Sequence, residues 1–191
     1  MDRVYGSGII LTESGENASD PVNSDLEKLR HEIDSAMEGV SPEFMRSNPA
    51  GRKWSIAEIL EHLYLTYTGT IRGCERALEG GRPLVTAPTW VHRGRKLVVL
   101  RLGYMPTGRE SPAVARPRGL PVQEVLTGIG SKIAEMDQLL SRCEEKFGAA
   151  SKLMDHPALG ALTASQWGKF HLVHGRHHVK QIHARRVGKS G

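Results

Sequence analysis

The sequence predicts an all-α protein, a four-helix bundle with one long crossover between its second and third helices. Three observations predict it. Four stretches carry apolar residues at the three- and four-residue spacing of an amphipathic helix. No stretch alternates apolar and polar residues for long enough to argue for a sheet. About 40 residues separate the second stretch from the third, where a bundle connection usually takes about 2–8. A connection that long can run the length of a helix, so the two helices it joins are free to lie parallel.

Each element has its own local reason. In the first helix, Asp20 followed by Pro21 reads as an N-cap with proline at the first helical position, and Leu26, Leu29, Ile33 and Met37 follow to Gly39. A polar break with Pro42 and Pro49 comes next. The second helix opens with the capping box Ser55-Ile-Ala-Glu58, carries Ile56, Ile59, Leu60, Leu63, Tyr67, Cys74 and Leu78, and ends at Gly80-Gly81. Pro121 starts the third, in which Val122, Val125, Leu126, Ile129, Ile133, Met136, Leu140 and Cys143 recur until Gly148. After the Asp155–Gly160 loop, Thr163 or Ser165 caps a last helix that runs to about Val187. The connector, residues 80 to 120, is rich in Pro and Gly and reads as irregular chain and as the candidate lid. Only Leu97–Leu102 within it is apolar enough for a short strand or a turn of helix.

With 191 residues and 21.0 kDa, of which 39% are hydrophobic and 25% charged, the chain suits one ordered domain, expected over residues 20–188 behind a flexible tail at 1–19. No apolar run approaches the length that spans a bilayer, and the N-terminus lacks a secretory pattern. Cys74 and Cys143 read as reduced thiols of a cytoplasmic protein. The formal charge is +5. Between Arg82 and Arg118 eight Lys and Arg face one acid, Glu110, so the basicity belongs to the connector and the rest of the chain is slightly acidic. That basic run offers only Trp90 and Tyr104 for stacking and matches no nucleic-acid-binding module, so nucleic acid is not an expected partner. Trp54, Trp90 and Trp167 read as packing residues.

The chemistry concentrates in the last helix. At about 100° per residue, with His174 as zero, His178 stands at about +40°, His171 at about +60°, Gln181 at about −20° and His177 at about −60°. Lys169, Arg176, Lys180 and His183 fall on the opposite, solvent side. Histidines four apart on a helix put two imidazoles on one side of a divalent ion. Helix two offers a third at His62, on the edge of its apolar stripe. Thr66, Gly69 and Gly73 continue the face of His62, and their small size reads as a pocket left beside it.

Two segments, Trp54-Ser-Ile-Ala-Glu58-Ile-Leu-Glu61-His62-Leu63 and Trp167-Gly-Lys-Phe-His171-Leu-Val-His174-Gly-Arg-His177-His178-Val-Lys-Gln181-Ile182, resemble the DinB-like superfamily of DNA-damage-inducible four-helix metalloproteins. The resemblance implies a bundle with a crossover between helices two and three. It also implies a divalent metal, commonly zinc or nickel, on His62, His174 and His178. His171, His177 and Gln181 are then candidates to hydrogen-bond a ligand imidazole. Members with known activity, such as bacillithiol transferases and mycothiol-dependent maleylpyruvate isomerase, use the metal to activate a low-molecular-weight thiol. The unusually long and basic connector departs from the family and leaves the substrate open.

Three protein ligands leave an open position on a zinc-like ion, as in catalytic sites. The first reading is a metal-dependent transferase activating a small thiol toward an electrophilic substrate. The alternatives are a metal-dependent hydrolase using a metal-bound water, with Glu58 as candidate base, and a non-catalytic metal-binding bundle. Arg93, Arg95 and Arg101 are candidates to draw anionic substrates to the pocket mouth. The expected partners are a thiol and an electrophile; a homodimer is compatible with the sequence, and no membrane is expected.

Overall fold

The structure is a computed structural model that describes residues 24–49, 53–86, 96–103, 105 and 111–187. The expectations for the N-terminal tail, the Asp20-Pro21 cap, Trp90, Arg93, Arg95 and Tyr104 lie outside these residues.

Helix α1 (Ser24–Met37) turns Leu26, Leu29, Ile33 and Ala36 into the core. The polar break after it holds a short helix the sequence pattern did not announce, α2 (Pro42–Arg46), with Pro42 in the first turn and the Ser41 hydroxyl accepting from Phe44 N. Five residues are too few for periodicity to appear. Helix α3 (Ile56–Glu79) begins at the expected capping box: Glu58 N donates to Ser55 Oγ, and Ser55 N donates to Glu58 Oε2 at 2.7 Å. Helix α4 (Val122–Phe147) buries Val122, Val125, Ile129, Ile133, Met136, Leu140 and Cys143 along one face. Helix α5 (Ala164–Val187) follows Thr163, whose Oγ1 accepts from Gln166 N while Gln166 Oε1 accepts from Thr163 N. Of the two caps the sequence offers, Thr163 is the one used.

Side-chain neighbours give the helix directions. Tyr64 lies against Gly128, the Cys143 thiol donates to the Cys74 carbonyl, and Lys146 Nζ donates to Leu78 O. Position numbers rise together along α3 and α4, so these helices are parallel, as a crossover requires. Helix α5 runs antiparallel to α3, with Thr70 beside His171 near one end and Arg185 Nε donating to Trp54 O at the other. It runs parallel to α1: Arg176 pairs with Glu32 at 2.7 Å, and Arg186 donates to the Ala36 and Glu38 carbonyls. Those carbonyls lie at the end of α1, where backbone acceptors lack intrahelical partners. Among the described residues no helix is long and apolar enough to cross a membrane.

The sequence reading finds no sheet, and the structure adds one small exception. Strands β1 (Met154–His156) and β2 (Gly160–Leu162) form an antiparallel hairpin ahead of α5. His156 Nδ1 accepts from the N–H groups of Ala158 and Leu159 inside its turn. Leu84 N donates to Leu153 O, and Thr86 N donates to Asp155 Oδ2, so the chain leaving α3 is tied to the hairpin. Farther on, Leu97–Arg101 forms a turn of π-helix with Val99 buried, one of the two conformers the apolar run allowed. Lys96 Nζ, just before it, donates to Ala161 O. The connector then returns through a 3-10 turn at Ala113–Ala115, and Glu61 of α3 takes hold of its end: Oε1 accepts from Arg118 N at 2.8 Å and Oε2 from Gly119 N at 3.0 Å.

Candidate metal centre

Antiparallel packing of α3 on α5 brings His62 to His174 and His178, the two positions separated by one turn of α5. His174 Nε2 lies 3.1 Å from His62 Nε2 and 3.1 Å from His178 Nε2. All three residues are buried, and their ligand atoms lie within 4.8 Å of one another. They are the only such group of three His, Cys, Asp or Glu among the described residues.

Hydrogen bonds behind the rings set their protonation. His62 Nδ1 donates to the Ala115 carbonyl at 2.7 Å, with Ser111 Oγ 3.2 Å from the same nitrogen. A carbonyl only accepts, so this nitrogen carries the proton and the neutral ring presents a bare Nε2 to the centre. His178 Nδ1 is 2.9 Å from Gln181 Oε1, another acceptor, with the same result. Burial first, then the neighbouring imidazoles, hold His174 well below the ordinary histidine range and push His178 down to about 3. Burial lowers His62 as well, partly offset by the Ala115 carbonyl. At neutral pH three uncharged rings therefore face one point.

That arrangement fits a cation. Without one, a proton on His174 Nε2 can serve only one of its two neighbours, and the lone pair of the other is left without that donor. Nitrogens each about 2.0–2.1 Å from a tetrahedral ion stand about 3.3 Å apart, close to the spacings found. His174 Nδ1 is buried without a hydrogen-bond partner, and the ring is oriented instead by stacking on Phe170, 5.2 Å away at an interplanar angle of 12°.

The remaining expected residues divide. Gln181 bridges two histidines, its Oε1 at His178 and its Nε2 3.0 Å from His177 Nε2. His177 thus stays outside the convergent group, while the solvent-side residue His183 is exposed. His171 is fully buried and turned to Thr70 Oγ1, 2.9 Å away, among Tyr67, Trp167 and Phe170. Burial pushes it down to about 3. Thr66 spends its hydroxyl on the His62 carbonyl. A Cβ at Gly69 would meet nothing within 4 Å among the described residues, whereas one at Gly73 would run into the Met154 thioether. The small-residue face is thus open at Gly69 and filled by the hairpin at Gly73. Glu58 places a carboxylate oxygen on the helix cap. Arg101 is exposed at the end of the π turn.

Sequence reasoning passed over several residues at the centre. Trp54, read as packing, has its ring 5.0 Å from that of His62 and 6.5 Å from that of His178, making one wall. Ala115 and Ser111 contribute from the connector through atoms that carry no sequence signal. Glu61, next to a candidate ligand, is 3% exposed, and only the rarity of a fully buried glutamate could have pointed to it.

Fold and site together define a class: helical bundles with a crossover and a buried three-histidine group suited to a divalent metal. The chain belongs to the DinB superfamily, whose family model matches residues 25–182. Neither the curated proteins nor the solved structures contain a significant match to it.

Proposed function

We propose that this protein is a metal-dependent transferase that binds zinc or nickel on His62, His174 and His178 and activates a small thiol toward an electrophilic substrate. The observation that carries this reading is three neutral Nε2 donors converging with no fourth protein ligand grouped with them among the described residues. A divalent ion held by His62, His174 and His178 would supply Lewis acidity and so favour the thiolate form of a substrate thiol at neutral pH, where a free thiol is mostly protonated.

The chain's own residues do the rest. Ala115 and Gln181 keep the Nδ1 protons of His62 and His178 in place, so their Nε2 atoms stay available. Trp54 lies against the rings of His62 and His178, and the 3-10 turn of the connector covers the Nδ1 side of His62, which limits water there. Cys74 and Cys143 are buried between α3 and α4, away from the histidines, which supports a thiol arriving from outside. With a Glu58 oxygen on the helix cap, the site lacks a free carboxylate base at that position, which favours thiol chemistry over hydrolysis. Arg93, Arg95 and Arg101 of the basic connector would favour substrates that carry a carboxylate.

The test is turnover of a generic electrophile by tag-free, metal-loaded protein across a panel of cellular thiols. Turnover that needs both metal and thiol is expected. Hydrolysis of ester or amide substrates without thiol, lost in Glu58→Gln, would establish the hydrolytic alternative instead.

A further inference from the structure

Glu61 and His62 are consecutive on α3, and both hold the same short piece of connector. His62 donates from Nδ1 to the Ala115 carbonyl at 2.7 Å. Three residues on, Arg118 N and Gly119 N donate to the two carboxylate oxygens of Glu61, at 2.8 and 3.0 Å. Gly119 has φ of +86°, a left-handed conformation natural to glycine, and successive amides in such turns form an anion-binding concavity. The 3-10 turn that carries the Ala115 carbonyl is therefore pinned on both sides of Arg116: by its own Ala115 N–Pro112 O bond and by the carboxylate. Glu61 is 3% exposed and both of its oxygens are engaged, so it serves neither as a ligand nor as a base.

We infer that Glu61 is a positioning residue for the metal centre: it clamps residues 118 and 119 so that the Ala115 carbonyl stays on His62 Nδ1, which fixes the tautomer and the ring that presents Nε2. This rests on the three-histidine metal reading and is independent of the thiol chemistry. The returning end of the connector thus becomes part of the ligand set's support. Partners of this kind typically change metal affinity by about 10–100-fold.

Two measurements on the full-length protein test it. Cobalt(II) affinity, read by its visible absorption in competition with a chelator, should fall at least tenfold in Glu61→Ala and less in Glu61→Gln, which keeps one acceptor. Glu58→Ala, which removes the capping box on the same helix, should lower stability while leaving cobalt affinity within about twofold. In the metal-free Glu61→Ala protein, ring nitrogen-15 shifts should show His62 populating both tautomers. His178, held by Gln181, should keep its proton on Nδ1 in the same sample, so a general loosening of the fold would be recognised. A single His62 tautomer with unchanged cobalt affinity in both Glu61 variants would overturn the inference. Failure of the unaltered protein to bind cobalt would overturn the metal reading with it, whereas cobalt binding without thiol-dependent turnover would count against the transferase reading alone.

Discussion

Leu29 fills the place that a side chain at Gly175 would need: a Cβ there would stand 2.6 Å from Leu29 Cδ2 and 3.1 Å from its Cγ. Leu29 is fully buried, so it has no outward path. This close approach seats α5 on α1 one residue beyond His174. Gly175→Ala gains about 1 kcal/mol of helix propensity but overpacks the core at a cost of about 1–3 kcal/mol, so the variant should be the less stable protein. Gly69→Ala, on an exposed helix position with nothing within 4 Å of the added Cβ among the described residues, should be stabilised by up to about 1 kcal/mol. Urea unfolding of both variants checks the opposite signs.

Removing a ligand should remove the metal. His174→Ala or His178→Ala should reduce a stoichiometry of about one ion per chain to near zero, while His183→Ala should keep it. Elemental analysis of tag-free protein is the measurement. Full occupancy in His178→Ala would exclude His178 from the ligand set.

Gln181 holds His178 from behind as the Ala115 carbonyl holds His62. Gln181→Ala should weaken metal binding by about tenfold without abolishing it, and should also release His177, its other partner. A chelator titration reads the affinity. An unchanged value would make the glutamine a spectator.

Acid should unfold the metal-free protein through its buried histidines. His171 and His178 are pushed down to about 3 by burial, so they stay neutral in the fold while the unfolded chain takes up protons below about pH 6.5. The unfolded state binds more protons in this window, so stability is present above about pH 6.5 and is lost as the pH falls toward about 3. Between pH 6.5 and 5 the two together should cost roughly 3 kcal/mol. Denaturant midpoints of chelator-treated protein across that range should fall accordingly, and a flat profile would contradict the assigned protonation.

The chain's own thiols should be dispensable for turnover. Cys74 and Cys143 are both buried, and the hydrogen bond with Cys143 together with burial pushes the Cys74 thiol up, away from thiolate. Single alanine variants should retain thiol-dependent activity once loaded with metal, as steady-state rates would show. Loss of activity in a folded, metal-bearing Cys74→Ala protein would move the nucleophile into the chain.

What the sequence determined by itself is what local rules encode. Spacing at three and four residues placed the four long helices, Ser55 and Glu58 marked the start of α3, and one turn between His174 and His178 put two imidazoles on one face before any partner was known. The length of the connector sufficed for a crossover and left α3 and α4 free to lie parallel; the contacts of Tyr64, Cys74 and Leu78 with α4 are what make them so. Tertiary structure alone decided which atoms of that connector touch the site. Ala115 meets His62 across 53 positions through a backbone carbonyl, a group every residue possesses, so no side-chain pattern announces it. The hairpin at Met154–Leu162 has three-residue strands, too short for alternation to show, and its Met154 closes the space at Gly73 that composition suggested was open. Glu61 reads in sequence as one more polar helix residue; only the returning chain, by offering two backbone amides to its carboxylate, makes its burial tolerable.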